Sequence, residues 1–335
     1  MKRRVPLTMI TLLVFAITLL PFTAVSAKPI KLDFATALPE GGSEAIAMKY
    51  FKKILEERTN GEIQVNLFLG GVLGKEKSVF EQLTVGEVQM NLGGEIVVTT
   101  YAPKLYIFGV PFLFPDRETI GRLVKGDLGK QMAEEVVKKS NIMVAGYSLR
   151  MGRQLITKDR KVFGPEDVKD LKMRLPNIKS WQVAWRRLGA IPTPIPAVEI
   201  FHSLQTGVVE AAENPVSPMV AMRQYEVTKY LMLTDHLYSF RAWSLSKRFY
   251  DSLKPELKKT LLSAIEDAAD HLTSIEKKID TELLVKAQKA GDWQIIIPDR
   301  EAFKKAVVPA VEEIRKDWAP GLYEKYVQQY VEAAQ

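Results

Sequence analysis

The sequence predicts an α/β protein built on a largely parallel sheet and large enough for two lobes. Strands and helices alternate with short connections from residue 30 onward, which is the mark of a parallel sheet. Roughly 300 residues follow the N-terminal segment, enough for two hydrophobic cores. One helical pattern near the C-terminus is too long for a single lobe.

Ile30, Leu32 and Phe34 alternate as a first strand, and the polar loop Pro39-Glu40-Gly41-Gly42-Ser43 leads into a helix. Met48, Phe51, Ile54 and Leu55 form that helix's buried stripe, and Asn60-Gly61 ends it, since both residues tolerate a left-handed cap. Ile63, Val65, Leu67 and Leu69 alternate as a second strand. A short helix with Val79, Phe80 and Leu83 follows, then a third strand over 88–92. Further strands are expected at 142–148 and 154–157. Gly164-Pro165-Glu166-Asp167 has the proline and early acids of a helix start. Helices are expected around 181–188, 198–206 and 218–227. From Pro255 an apolar stripe runs through Leu257, Leu261, Ile265, Leu272, Ile279 and Leu283 with no glycine or proline before Gly291. At ~1.5 Å per residue that helix is about 50 Å long, so it is expected to run along both lobes.

The first residues read as an export signal. Met1-Lys2-Arg3-Arg4 is the positive start, residues 12–20 are nearly all apolar, and Ala24-Val25-Ser26-Ala27 offers a cleavage site after Ala27. The apolar run is short for a span of roughly 20 residues. Residues 1–27 carry three positive charges and no negative ones, so their removal lowers the formal charge from +7 to +4. That mild charge, with no basic cluster interleaved with aromatics, argues against nucleic acid as a partner. The chain has no cysteine, which excludes disulfides, a thiolate nucleophile and a lipid-modified cysteine.

His202, His236 and His271 are scattered, with no partners at metal-ligand or triad spacing, so neither a metal nor a catalytic triad is expected. The loop Gly70-Gly71-Val72-Leu73-Gly74-Lys75 fails the phosphate-loop spacing, with Glu76 where a hydroxyl is needed. No cofactor is expected. Gly93-Gly94-Glu95 is an ordinary turn or a ligand contact, because open α/β sheets bind ligands beyond the carboxyl ends of their strands. Tyr106, Phe108, Phe112 and Phe114 read as core.

The stretch from Leu171 to Pro215 carries the clearest chemistry. Leu171-Lys172-Met173-Arg174-Leu175-Pro176 sets an arginine near a strand's end, and Glu213-Asn214-Pro215 returns an amide to the same neighbourhood. A guanidinium fork matches the two oxygens of a carboxylate. A buried guanidinium needs an anionic partner, so Arg174 either meets a ligand or pairs internally with Glu210 or Glu213. Arg153, in Met151-Gly152-Arg153-Gln154, is a second candidate. Asn214 precedes a proline, which holds it extended.

Block by block the chain resembles the extracytoplasmic solute-binding proteins of TRAP (tripartite ATP-independent periplasmic) transporters, the DctP-type family. The blocks are the stretch just quoted, Thr59-Asn60-Gly61-Glu62-Ile63, Gly71-Val72-Leu73-Gly74-Lys75-Glu76, Val110-Pro111-Phe112-Leu113-Phe114 and Gly152-Arg153-Gln154-Leu155-Ile156-Thr157. A further block runs from Gly164 to Lys172. The resemblance implies a two-lobed clamshell, each lobe a mainly parallel sheet flanked by helices, with a long helix spanning both. Lobe I would hold residues 28–150 with 240–279 returning to it, and lobe II residues 151–239 with 280–335. Arg174 would make the main salt bridge to a ligand carboxylate, with Arg153 and Asn214 assisting. Gly94, Glu95 and Glu213 complete the expected ligand contacts, with Arg241 and Trp243 near the hinge. The chain departs from the family pattern at Glu210-Ala211-Ala212 and at Ala197, where an aromatic residue is common; the small side chain implies a roomier pocket or an aromatic contact from elsewhere.

The expectation is therefore a soluble, monomeric, non-catalytic periplasmic receptor that delivers an organic acid to the small and large TRAP membrane subunits. The alternative is a secreted hydrolase or isomerase of carboxylates, with Glu95, Glu210, Glu213 or one of the scattered histidines as its base.

Overall fold

The structure, a computed structural model, describes residues 28–334, so the expected export segment lies outside the described residues. Its strands in chain order are β1 (Ile30–Ala35), β2 (Ile63–Phe68), β3 (Met90–Gly93), β4 (Ile142–Leu149), β5 (Gln154–Thr157), β6 (Lys172–Leu175), β7 (Ile191–Pro194), β8 (Ala211–Asn214), β9 (Tyr230–Met232), β10 (Phe240–Ser246) and β11 (Gln294–Ile296).

They form two sheets. The first has five strands in the order β2-β1-β3-β10-β4 and the second six in the order β11-β9-β5-β8-β6-β7. β1 lies parallel to β2 and β3, whereas β10 is antiparallel to both β3 and β4. In the second sheet β5 alone runs against its neighbours β8 and β9. Each sheet is thus parallel except for one strand. The result is a two-lobed clamshell.

The exceptional strands follow the first two of the three places where the chain changes sheet; the third is the return from β10 to β11. Residues 150–153 join β4 to β5, and residues 233–239 join β9 to β10. These crossings are zipped together by Arg150 N–H to Ser239 C=O at 3.0 Å, Arg153 N–H to Leu237 C=O at 3.0 Å and His236 N–H to Arg153 C=O at 3.1 Å. Gly152 permits the close approach, since a Cβ there would sit 2.3 Å from Asp235 Oδ1. A hinge built this way carries its side chains straight into the cleft.

The helix Pro255–Ala290 begins with proline in its first turn and ends on Gly291 at φ 74°, as the sequence indicates. At ~1.5 Å per residue its 36 residues span about 54 Å. It packs on Ser43–Arg58 and β4 at one end and on Val216–Ala221 at the other, so it ties the two lobes. Leu32, Phe34, Phe51 and Trp243 fill the core beneath it. The helix at Ser43–Arg58 ends as expected, with Asn60 at φ 46°.

Some elements differ from expectation. The helix expected at 218–227 is Val216–Ala221, ended by Arg223 in the left-handed region at φ 54°. β7, Ile191-Pro192-Thr193-Pro194, is proline-rich and does not read as a strand, yet it forms an edge, where missing N–H donors are tolerated. Helices at Arg117–Lys125 and Asp127–Ser140 cover the first sheet near β4.

Candidate functional site

Between the sheets lies a cavity of about 70 Å³, room for roughly five to seven waters at ~10–15 Å³ each. Beyond it an outer groove of about 700 Å³ opens, and Glu76 and Arg174 line both. The arginines Arg150, Arg153 and Arg174 face the cavity together with Asn214, Glu44, Glu76, Glu95 and Trp181.

Arg174 stands one residue before the end of β6 and is 3% exposed. Its Nε donates to Ile195 C=O at 2.8 Å, which aims the outer guanidinium nitrogens at the cavity. Among the described residues it has no carboxylate partner; neither Glu210 nor Glu213 pairs with it. Burial pulls its pKa down to about 10, with Arg153 and Arg150 adding to the pull and Glu213 and Glu76 opposing it. It stays charged at neutral pH. Asn214 closes β8 and receives Nη2 of Arg150 on its Oδ1 at 3.2 Å.

Arg150 is the residue that sequence reasoning missed. It follows β4 at the start of the first crossing, is 7% exposed, and has no carboxylate partner and an unpartnered Nε among the described residues. Burial lowers its pKa to about 10, helped by Arg241 and Arg153. The sequence signal was present in Leu149-Arg150-Met151-Gly152-Arg153, where either arginine sits at a strand end. Only the strand registers tell which is unpaired.

Arg153 is committed elsewhere. Its Nε and Nη2 donate to the two carboxylate oxygens of Glu213, Nη2 also to the Glu213 C=O at 3.0 Å, and its guanidinium lies 4.8 Å from the Trp181 ring centroid. Glu213 is thereby placed behind the cavity wall. It is fully buried, held by Arg153 and 3.3 Å from His236 Nε2, and does not line the cavity. Burial alone would raise its pKa; Arg153 and His236 hold it down to about 2.

Arg241 and Trp243 also lie away from the cavity, since neither lines it. Arg241 donates to Glu44 at 2.5 Å and Glu276 at 2.9 Å, a buried network behind the hinge. Trp243 packs against Phe34 and Phe51 with ring centroids 5.6 and 5.9 Å away. Two residues apart on β10, the two side chains leave the sheet on one face, the face covered by the helices Ser43–Arg58 and Pro255–Ala290, and neither lines the cavity.

Gly94 and Glu95 do line the cavity, beyond the carboxyl end of β3. Ala197 lines it too, and the aromatic contact comes from Trp181, whose Nε1 donates to Tyr106 Oη at 3.0 Å. Tyr106, Phe108, Phe112 and Phe114 are buried in the core. Of the histidines, His236 is buried against Trp185, and burial lowers its pKa.

A cleft between hinged lobes, with buried cations awaiting an anion, is built for capture of a small acid. Three similarities bear on it. The chain is 28% identical over 298 residues to the 2,3-diketo-L-gulonate-binding periplasmic protein of Escherichia coli K12, covering 89% of this chain and 90% of that one. It is 26% identical to the C4-dicarboxylate-binding periplasmic protein of Rhodobacter capsulatus, over 86% of this chain and 87% of that one. The crystal structure of a TRAP periplasmic solute-binding protein from Ochrobacterium anthropi with bound L-fuconate superposes with a TM-score of 0.84 at 30% identity, covering 90% of this chain and all of that one. No helix among the described residues is long and apolar enough to cross a membrane. With the family model for bacterial extracellular solute-binding proteins matching residues 34–317, the chain belongs to family 7 of those proteins, the DctP family.

Proposed function

We propose that the protein is an exported, monomeric receptor that holds an organic acid by its carboxylate and hands it to the membrane subunits of a TRAP-type transporter. The observation that carries this reading is the pair Arg174 and Arg150, two buried guanidiniums facing one cavity with no carboxylate partner among the described residues. A ligand carboxylate supplies the missing partner, and Asn214, held by Arg150, orients it. Arg153 acts from behind by fixing Glu213.

The similar proteins support an acid as ligand: two carry carboxylate compounds in their names, and the Ochrobacterium anthropi structure holds L-fuconate. The lobes are inferred as residues 28–150 with 240–279 and residues 151–239 with 280–335, in line with sheet membership. The C-terminal part also touches the first lobe, through Ala319 N–H to Lys104 C=O at 2.8 Å, and so braces both. Closure strengthens the charged contacts by removing water. It is driven by contacts the open form lacks.

Receptor rather than enzyme is supported by the fate of two candidate bases. Glu213 is held by Arg153, and Glu210 accepts from Lys172 N–H at 3.2 Å. A thermal-shift screen of organic acids, followed by recovery of the bound acid, tests the reading. Stabilisation by mass action with the acid recovered unchanged is the expected result. No stabilisation by any acid, or its conversion to product, overturns it.

A further inference from the structure

The strands farthest from the crossings carry the mouth of the cleft. In the first sheet β2 lies three positions from β10, and in the second β7 lies three positions from β5. At ~4.8 Å between neighbouring strands, each is about 14 Å from a strand that enters or leaves a crossing. β1 is parallel to both β2 and β3, and β7 is parallel to β6. Both outer strands therefore end on the side where Gly94 and Arg174 line the cavity. The segments that follow them, residues 69–75 and 195–199, meet across the opening.

Lys75 Nζ lies 2.5 Å from Glu199 Oε1, and both side chains are exposed. Next to this pair Gly71 leaves a notch, since a Cβ there would sit 2.6 Å from Val198 Cγ1. Gly71 stands at φ 73°, where glycine is favoured, and its N–H donates to Thr36 C=O at 3.0 Å, which fixes the notch to the first lobe. On the other side Ile195 N–H donates to Leu175 C=O at 3.0 Å and Glu199 N–H to Pro196 C=O at 3.1 Å, which fixes Val198 to the second. Beside the notch a gap of about 210 Å³ remains between Pro39 and Gly70 of one lobe and Phe201 and Met222 of the other. Val198 stays 41% exposed and Val72 70%.

A permanent interface packs to the density of a protein interior and covers its apolar side chains. This seam does neither, and an exposed ion pair holds weakly. Such a contact breaks at small cost and re-forms in a defined register, because only Gly71 leaves room for Val198.

We propose that the turn Gly71–Lys75 and the segment Val198–Glu199 form a latch at the cleft mouth, made when the lobes close and broken when they open. Val198 seats in the Gly71 notch and Lys75 pairs with Glu199. The latch names contacts that favour the closed form, and it rests on the receptor reading above for its purpose.

The test needs no acid. The chain has no cysteine, so Lys75→Cys/Glu199→Cys carries the only two thiols. The mature double variant is treated with an ethylene-bridged bismaleimide, which replaces the span of the two side chains, or capped with N-ethylmaleimide. Both products are then measured by small-angle scattering. The bridged monomer is expected to shift to a smaller radius of gyration than the capped one. Equal radii, or no intramolecular bridge, overturn the latch. Adding Val198→Trp, which overfills the notch, is expected to lower the bridging yield by about fivefold or more. An unchanged yield in a folded protein also overturns it. Equal radii leave the receptor reading intact, whereas failure of every organic acid to bind refutes that reading and leaves the scattering result as it stands.

Discussion

Arg153 and Glu213 face each other across neighbouring hinge and strand positions and bond through two of the three guanidinium nitrogens, Nε and Nη2, with Glu213 at about 2 in pKa. The pair divides the arginines of the cleft into two kinds. Arg153 belongs to the frame, whereas Arg174 and Arg150 wait for a partner that the described residues do not supply.

Arg153→Ala is expected to cost about 3–5 kcal/mol of stability, because it strands a buried carboxylate. Urea unfolding of ligand-free protein measures this. A stability within ~1 kcal/mol of wild type would contradict the structural role of the pair.

The same pair sets an acid limit. Glu213 has a folded pKa of about 2, depressed below its ordinary value near 4.5. Its stabilisation is therefore complete above pH ~4.5 and lost as pH falls toward 2. At ~1.4 kcal/mol per unit the loss is about 3 kcal/mol. Unfolding midpoints at pH 6 and pH 3 are expected to differ less in Glu213→Gln than in wild type; parallel slopes would refute this.

Asp280 has the opposite sign. Carried on the long helix, it accepts the N–H groups of Ser217 at 3.0 Å and Val216 at 3.1 Å, just after Asn214-Pro215. Burial, then Glu276, raises its pKa from 3.8 to about 7. The folded chain binds this proton more tightly, so the group destabilises the fold progressively as pH rises from ~4 to ~7. Asp280→Asn loses an acceptor at every pH, yet its stability relative to wild type is expected to improve from pH 5 to pH 8. Melting curves at the two values decide, and a difference independent of pH would dispose of the idea.

Export is expected to leave a chain beginning Lys28-Pro29. N-terminal sequencing of periplasmic material checks it. A protein retaining residues 1–27 in the membrane fraction would count against the receptor's placement.

Much of the fold is legible in residues. Alternation at Ile63 and Val65, the left-handed Asn60 and the proline-to-glycine helix from Pro255 to Gly291 are local signals, and each element forms where they point. β7 and the strands β9, β10 and β11 are not legible, because their strand character comes from partners distant in sequence. The site divides along the same line. Arg174 and Asn214 are marked by strand ends and prolines nearby, but whether an arginine is paired depends on which strands adjoin. β5 lies antiparallel to β8 with Gln154 opposite Asn214, which brings Arg153 onto Glu213 and leaves Arg150 free for the cavity. Arg241 and Trp243 lie away from the cavity for a similar reason: a hinge position in sequence says nothing about which face of β10 meets the cleft.

The central claim is that Arg174 is kept for the ligand and not for the fold, and one variant measured two ways tests it. In Arg174→Ala the melting temperature of ligand-free protein is expected to stay unchanged or rise, because a buried charge held near pKa 10 is removed. Affinity for the captured acid is expected to fall by about 3–5 kcal/mol, roughly two to four decades in Kd. A folded Arg174→Ala protein that binds its acid within about threefold of wild type, or that melts as low as Arg153→Ala while keeping its affinity, would contradict the account.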